Sequence, residues 1–190
     1  MSTDLQICSK ALVYCGSPPI TSFSASTLES VVANQLYSIT RDGLFSKHEW
    51  RWCRVNYDLT ATASGTPVAD WDYHYALPSD CLRVISLGDD GDSDGLEYFV
   101  QGGKILTDKE PTVTLTYVSR FAESTWPTWF EMCVVMKLAE VFCVPLTQSA
   151  SMKQLIGADA EKAYREAKRL DAEQNVNSYV AYPSAIAERI

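Results

Sequence analysis

The hydrophobic period changes twice along this chain, and no other feature limits the fold as much. Up to about Lys47 apolar residues recur at helical spacing. From Cys53 to Val118 they alternate with a period of two, and from Pro127 the helical spacing returns. That order predicts an α+β fold: a four-helix core of two N-terminal and two C-terminal helices, an inserted antiparallel β-sheet over about residues 51–118, and an extended C-terminal arm. The 190 residues, 46% of them hydrophobic, suit one domain over 1–176 that buries roughly 70% of its unfolded surface, followed by an arm over 177–190.

The helical segments carry local start and stop signals. Thr3 and Gln6 form a capping box for a first helix over about 3–15, with Leu5, Cys8, Leu12 and Cys15 on one stripe and Gly16, Pro18 and Pro19 ending it. A second box, Ser26 to Glu29, opens a helix over about 27–47 that points Leu28, Val31, Val32, Leu36 and Ile39 inward. Pro127, favoured at a first helical position, starts a third helix over about 127–144 that stops before Pro145. Its charges are confined to Glu131, Lys137 and Glu140, so it is expected to be the central buried helix. The fourth, about 151–174, carries Met152, Leu155, Ile156, Tyr164, Ala167 and Leu170 inward, with Glu161 and Arg165 as an outer ion pair.

Between them, Cys53, Val55, Tyr57 and Leu59 alternate with polar neighbours, as do Trp71, Tyr73, Tyr75 and Leu77. CLRVISL forms another strand, EYFVQ and KILTD flank Gly102-Gly103 as a two-residue hairpin, and TVTLTYV closes the sheet.

Charge and cysteine usage exclude several functions. A formal net charge of -8 argues against gripping nucleic acid by phosphate neutralisation, which needs a basic patch. The six cysteines contain no C-x-x-C, and no basic, apolar signal segment precedes Asp4, so they read as reduced, buried small hydrophobes. No apolar run approaches the ~20 residues needed to cross a bilayer, and the chain reads as soluble.

Candidate sites are few. Asp90, Asp92 and Asp94 with Gly95 follow the D-x-D-x-D-G order that opens an EF-hand loop. The twelfth position, where a carboxylate is required, is Gln101, and both flanks are strand-like, so the stretch reads as a solvated acidic loop. Of the two histidines, His74 reads as a partly exposed strand residue. His48 with Cys53 leaves a small hydrolase open as an alternative, although no nucleophile elbow or phosphate-cradling glycine loop accompanies it. Neither a catalytic residue nor a cofactor is expected. Trp50, Trp52, Trp71, Trp126 and Trp129 stand at element junctions, where large rings glue helix to sheet. The tail is different: Tyr179, Tyr182, Ile186 and Ile190 lie on a segment unable to bury them locally, which suggests a docking arm.

KALVYCGSPPITSF, then RDGLFSKHEWRWCR at the end of a helix, then WDYHYALPSDCLRVISL, with the late helices MCVVMKLAEVFCVPL and ADAEKAYREAKRLDAEQ, resemble in order and spacing the phage head-to-tail adaptors of the tail tubular protein A family. The resemblance covers almost the whole chain, and its specificity lies in the order of the pieces. The acidic loop Asp89 to Asp94 is not part of the pattern.

The family implies a non-enzymatic virion protein made in the bacterial host cytoplasm. It is a closed ring, usually dodecameric, seated between the portal protein and the tail nozzle or tube. There it forms a conduit for DNA and helps retain the genome until ejection. In that setting Tyr179, Tyr182, Ile186, Arg189 and Ile190 are the candidate portal contacts. Another neck component, such as a stopper, is the alternative within the same class.

Overall fold

The computed structural model describes residues 2–60, 71–88, 96–108 and 112–174. Among them are four α-helices and two three-stranded antiparallel sheets, an α+β fold. The order is α1 (Asp4–Tyr14), α2 (Leu28–Lys47), a 3₁₀ turn (Arg51–Cys53), strands β1 (Arg54–Thr60), β2 (Tyr73–Ala76), β3 (Cys81–Leu87), β4 (Phe99–Gln101), β5 (Lys104–Thr107) and β6 (Thr112–Ser119), a second 3₁₀ turn (Glu123–Thr125), α3 (Thr128–Thr147) and α4 (Ala150–Glu173).

Helix α3 packs against α1, α2 and α4 and carries the densest run of fully buried side chains, so the expected central helix is central. The α1 stripe also lies as expected, with Cys8, Leu12 and Cys15 buried and Leu5 partly so. The Thr3–Gln6 capping box is formed on both sides.

The β insertion divides into two sheets, where a single sheet was expected. Strand β6 has both edges occupied: β1 pairs with it from Arg54 opposite Val118 to Thr60 opposite Thr112, and β3 takes the other side with two register shifts. The remaining strands must pair among themselves, giving the order β2-β5-β4. The β4–β5 hairpin turns on Gly102 and Gly103 at φ 57° and 74°, the left-handed region that a two-residue hairpin demands. Leu59, Leu87, Val113, Leu115 and Tyr117 of the first sheet and Tyr75 and Ile105 of the second share one apolar cluster, separate from the helical core.

Several local expectations are corrected. Helix α2 is capped by Thr27, not Ser26: Thr27 Oγ1 accepts the Ser30 N–H at 3.3 Å, and the buried Ser30 hydroxyl donates to the Ser22 carbonyl at 2.9 Å. The buried face of α2 is Ser30, Val32, Ala33, Tyr37, Leu44 and Phe45, with Leu36 packed partly against the core, so Val32 and Leu36 lie inward as expected, while Leu28, Val31 and Ile39 are 56%, 50% and 70% exposed. The ring of Phe45 sits fully buried on α3 and sets the helix phase, which turns Leu28, Val31 and Ile39 outward.

Helix α3 begins after Pro127, whose carbonyl accepts the Phe130 and Glu131 N–H groups at 2.9 Å, and it runs through Pro145 to Thr147. Proline removes one helical donor. The end is closed instead by the Thr147 hydroxyl on the Cys143 carbonyl at 2.7 Å and by Gln148, at φ 52°, donating to the Val144 carbonyl at 3.0 Å. On α4, Met152 and Leu155 are exposed, and Arg165 Nε donates to the Glu161 carbonyl at 3.4 Å, not to its carboxylate.

Candidate functional site

The polar and aromatic groups of the described chain gather where α2 passes into β1 and β6 passes into α3. Phe130, in the first turn of α3, lies within 4.9 to 6.2 Å, centroid to centroid, of Phe45, Trp50, Trp52, Trp126 and Trp129. Indole donors find acceptors nearby: Trp50 Nε1 donates to the Leu44 carbonyl at 2.9 Å and Trp126 Nε1 to the Phe121 carbonyl at 3.0 Å. Trp52 Nε1 is buried without a hydrogen-bond acceptor, with the rings of Trp129 and Phe130 beside it. These four tryptophans stand at element junctions as expected, but the rings they meet belong to α2, α3, α4 and the adjoining turns, so they join helices to one another and to the turns.

Asp171, in the last turn of α4 and 1% exposed, caps the 3₁₀ turn from outside. Its carboxylate accepts the Arg51 N–H at 3.0 and 3.1 Å and the Trp52 N–H at 3.3 Å. Nearby, Lys47 Nζ stands 4.3 Å from the centre of the Tyr164 ring and Lys168 Nζ 5.8 Å from it, which draws the end of α2 onto α4.

A second polar cluster ties α2 to the chain entering α3. Glu123 Oε1 accepts from the Tyr37 hydroxyl at 2.8 Å and from Arg41 at 3.0 Å, while Asp42 accepts from Arg41 and Arg120, each at 2.8 Å at closest. Burial would raise the Glu123 carboxyl, but hydrogen bonds from its own backbone, Tyr37 and Arg41 outweigh it and hold the group below the ordinary glutamate value. Burial, then the bond to Glu123, pushes the Tyr37 phenol up. Every charge in this cluster is neutralised within it, and its geometry is that of a clamp. Asp80 does the same in the LPSD turn, accepting from the Tyr117 and Ser119 hydroxyls of β6. Burial and then the Asp80 charge raise the Tyr117 phenol to about 12.

Sequence reasoning missed these carboxylates as organising groups because their partners are distant in sequence. The only signal was the polar residue itself: an aspartate at a position of the α4 pattern where its helix packs inward.

The Cys53 and His48 pair receives no support from the geometry. Cys53 Sγ donates to the Trp50 carbonyl at 3.6 Å, and burial followed by the Asp171 charge pushes its thiol up to about 12, opposite to the activation a nucleophile needs. His48 stands edge-on to the Trp50 ring, its pKa lowered by burial and then by Lys168. His74 lies on the half-buried β2 opposite Leu106.

The calcium candidate Asp90, Asp92 and Asp94 and the arm residues Tyr179, Tyr182, Ile186, Arg189 and Ile190 lie outside the described residues. Gln101, the twelfth position of the acidic motif, closes β4 opposite Lys104. Among the described residues no group of three or more His, Cys, Asp or Glu could hold a metal ion, and no helix is long and apolar enough to cross a membrane.

The surface holds three grooves of note. One of about 570 Å³ lies at the α3–α4 turn beside Glu140, which is already paired with Lys137. The others, of about 280 and 350 Å³, flank the exposed Met132 of α3, towards α1 at Tyr14 and towards α4 at Ala163 and Leu170. None contains a paired nucleophile and base. A search of protein-family models and of curated proteins finds no match to the chain.

Proposed function

We propose that this chain is a structural head-to-tail adaptor of a phage virion, one copy of a ring between the portal and the tail nozzle or tube. The observation that carries the reading is the ordered resemblance across KALVYCGSPPITSF, HEWRWCR and YHYALPSDCLRV. The arrangement of two helices, a β insertion and two further helices is compatible with it. The adaptor catalyses nothing: it matches two surfaces, encloses the DNA and helps retain the genome until ejection.

With -8 per copy, a ring presents a largely acidic surface that lets DNA slide instead of sticking. Tight, salt-sensitive duplex binding by the purified protein would contradict that part of the reading. The segment 177–190, with Tyr179, Tyr182, Ile186, Arg189 and Ile190, is the proposed portal contact. Deleting it leaves the fold intact and abolishes attachment to the portal.

The deciding experiment is gradient sedimentation of lysate from the producing cells with an antibody against the chain. Migration with DNA-filled particles, and a position at the neck on imaging, supports the adaptor. A chain that stays at the top of the gradient, free of particles, removes the reading.

A further inference from the structure

We infer that copies of this chain join head to tail, the outer face of α2 on one copy seating in the two grooves beside Met132 on the next. This contact deepens the ring reading proposed above and rests on it.

The first face is a row of apolar knobs. Leu28, Val31 and Ile39, with Gln35 between them, follow the three- and four-residue spacing of a single helical stripe, on the side of α2 opposite the buried Ala33, Tyr37 and Leu44. Three aliphatic side chains at least half exposed on one stripe are a contiguous feature, unlike the scattered surface apolar residues of any protein. The second face is concave. Met132, 48% exposed, stands between the groove lined by Lys10, Tyr14 and Val135 and the groove lined by Trp129, Ala163 and Leu170.

These faces lie on opposite sides of the molecule. Phe130 meets Phe45 of α2 at 4.9 Å, centroid to centroid. Met132, two residues further along α3, is rotated by about 200° from it at 3.6 residues per turn. The side of α3 that carries Met132 therefore points away from α2, and the α2 stripe points away from α3.

Shape, size and charge favour a second copy as the occupant. One face is convex and the other concave. From Leu28 to Ile39 the stripe runs roughly 16 Å at 1.5 Å per residue. The span from α1 across α3 to α4 is about 16–20 Å at ordinary interhelical spacing. The stripe itself bears no charge. In the groove beside α1, Lys10 and Glu131 are already paired with each other, and the groove beside α4 carries a single carboxylate, Glu166, at its exposed edge. Burying these surfaces together strands few ions, the condition met at the centre of a protein interface. A single foreign partner would need one such face. Two different faces, opposed on one chain and matched to each other, are what a heterologous contact requires, and such contacts close into a ring when the rotation allows.

The test uses the purified full chain and two single variants, Ile39→Arg and Met132→Arg. Both positions are exposed enough for the variants to fold, which circular dichroism and thermal melting check. Sedimentation velocity across a concentration series is expected to show wild type growing beyond monomer. Each variant alone should have its dissociation constant raised about tenfold or more. An equimolar mixture of the two should form a one-to-one heterodimer and nothing larger, because each supplies the face that the other has lost.

Wild type that stays monomeric to its solubility limit overturns the inference, as do variants that assemble like wild type. A mixture of folded variants that stays monomeric also overturns it, and leaves the faces to residues 175–190 or to another protein. Any of these results together with particle association in the gradient sinks only this contact. Failure of the gradient experiment sinks the adaptor itself.

Discussion

Replacing Asp171 by alanine is expected to cost about 3 kcal/mol of folding stability. The carboxylate is 1% exposed and accepts two backbone N–H groups, those of Arg51 and Trp52, at 3.0 to 3.3 Å. A hydrogen bond to a charged group contributes about 1.5–3 kcal/mol net, and the lower end applies here because the Arg51 side of the site is partly open to water. Two such bonds give the figure of about 3 kcal/mol, which for a chain of this size lowers Tm by roughly 6–12 °C. An asparagine in this place would keep one carbonyl oxygen facing the same donors without the charge, so Asp171→Asn is expected to lose about half as much. The exposed Asp159 on the same helix is the control, and Asp159→Ala should stay within about 0.5 kcal/mol of wild type. Urea unfolding followed by tryptophan fluorescence reads all three. If Asp171→Ala costs less than about 1 kcal/mol, or no more than Asp159→Ala, the claim that α4 fixes the turn through this carboxylate is wrong.

Phe130→Ala removes the ring that five other aromatic rings surround, and a loss of about 4 kcal/mol with a red-shifted tryptophan emission is expected. Glu123 is held below its ordinary pKa in the folded state. Its contribution is therefore complete above the unfolded glutamate value and is lost as pH falls through the folded one. Glu123→Gln should accordingly flatten the decline of Tm between about pH 5 and pH 3, and an unchanged acid slope would contradict this. Burial raises the thiols of Cys8, Cys53 and Cys133 to about 12, and Cys81, raised by burial and then by Asp80, is only partly buried. An aromatic disulfide reagent should label Cys81 first in the native protein, and Cys81→Ser should remove that fast phase.

What was legible in the sequence was what neighbouring residues decide. The α1 stripe, the strand from Arg54 to Thr60 and the turn at Gly102-Gly103 follow from local periodicity and from glycine's access to positive φ, and the folded chain keeps them, with Tyr57 of that strand 52% exposed where burial was expected. The expected inward face of α2 holds at Val32 and Leu36 and fails at Leu28, Val31 and Ile39 for a non-local reason: the ring of Phe45 docks on Phe130 and fixes the helix phase, which no count of aliphatic residues within α2 could reveal. Pro145 failed as a stop because Thr147 and Gln148 close the helix beyond it. Asp171 and Glu123 were invisible as clamps, since their partners are joined only after the β insertion has folded back. The Leu28, Val31 and Ile39 stripe is the instructive miss. A helical pattern that predicts burial and meets solvent breaks the usual agreement of local pattern with fold, and such breaks concentrate at functional surfaces.

The clamps also bear on how a ring of this chain would close. Asp42 with Arg120, Glu123 with Tyr37 and Arg41, and Asp171 with Arg51 and Trp52 each join a residue that precedes the β insertion to one that follows it. The last of these holds Trp52, whose ring meets Phe130 where α2, α3 and the 3₁₀ turn come together. In a heterologous assembly the angle between the two contact faces sets the rotation per copy, and therefore whether and at what number the ring closes. In the contact proposed above one face is the outer side of α2 and the other the far side of α3, so that angle would be carried by the packing of α2 on α3. A substitution inside this junction changes the rotation without touching either contact face. If copies assemble through these two faces, the junction sets the rotation between them, and its aromatic density suits that role, because close-packed rings leave the two helices little freedom to turn against each other.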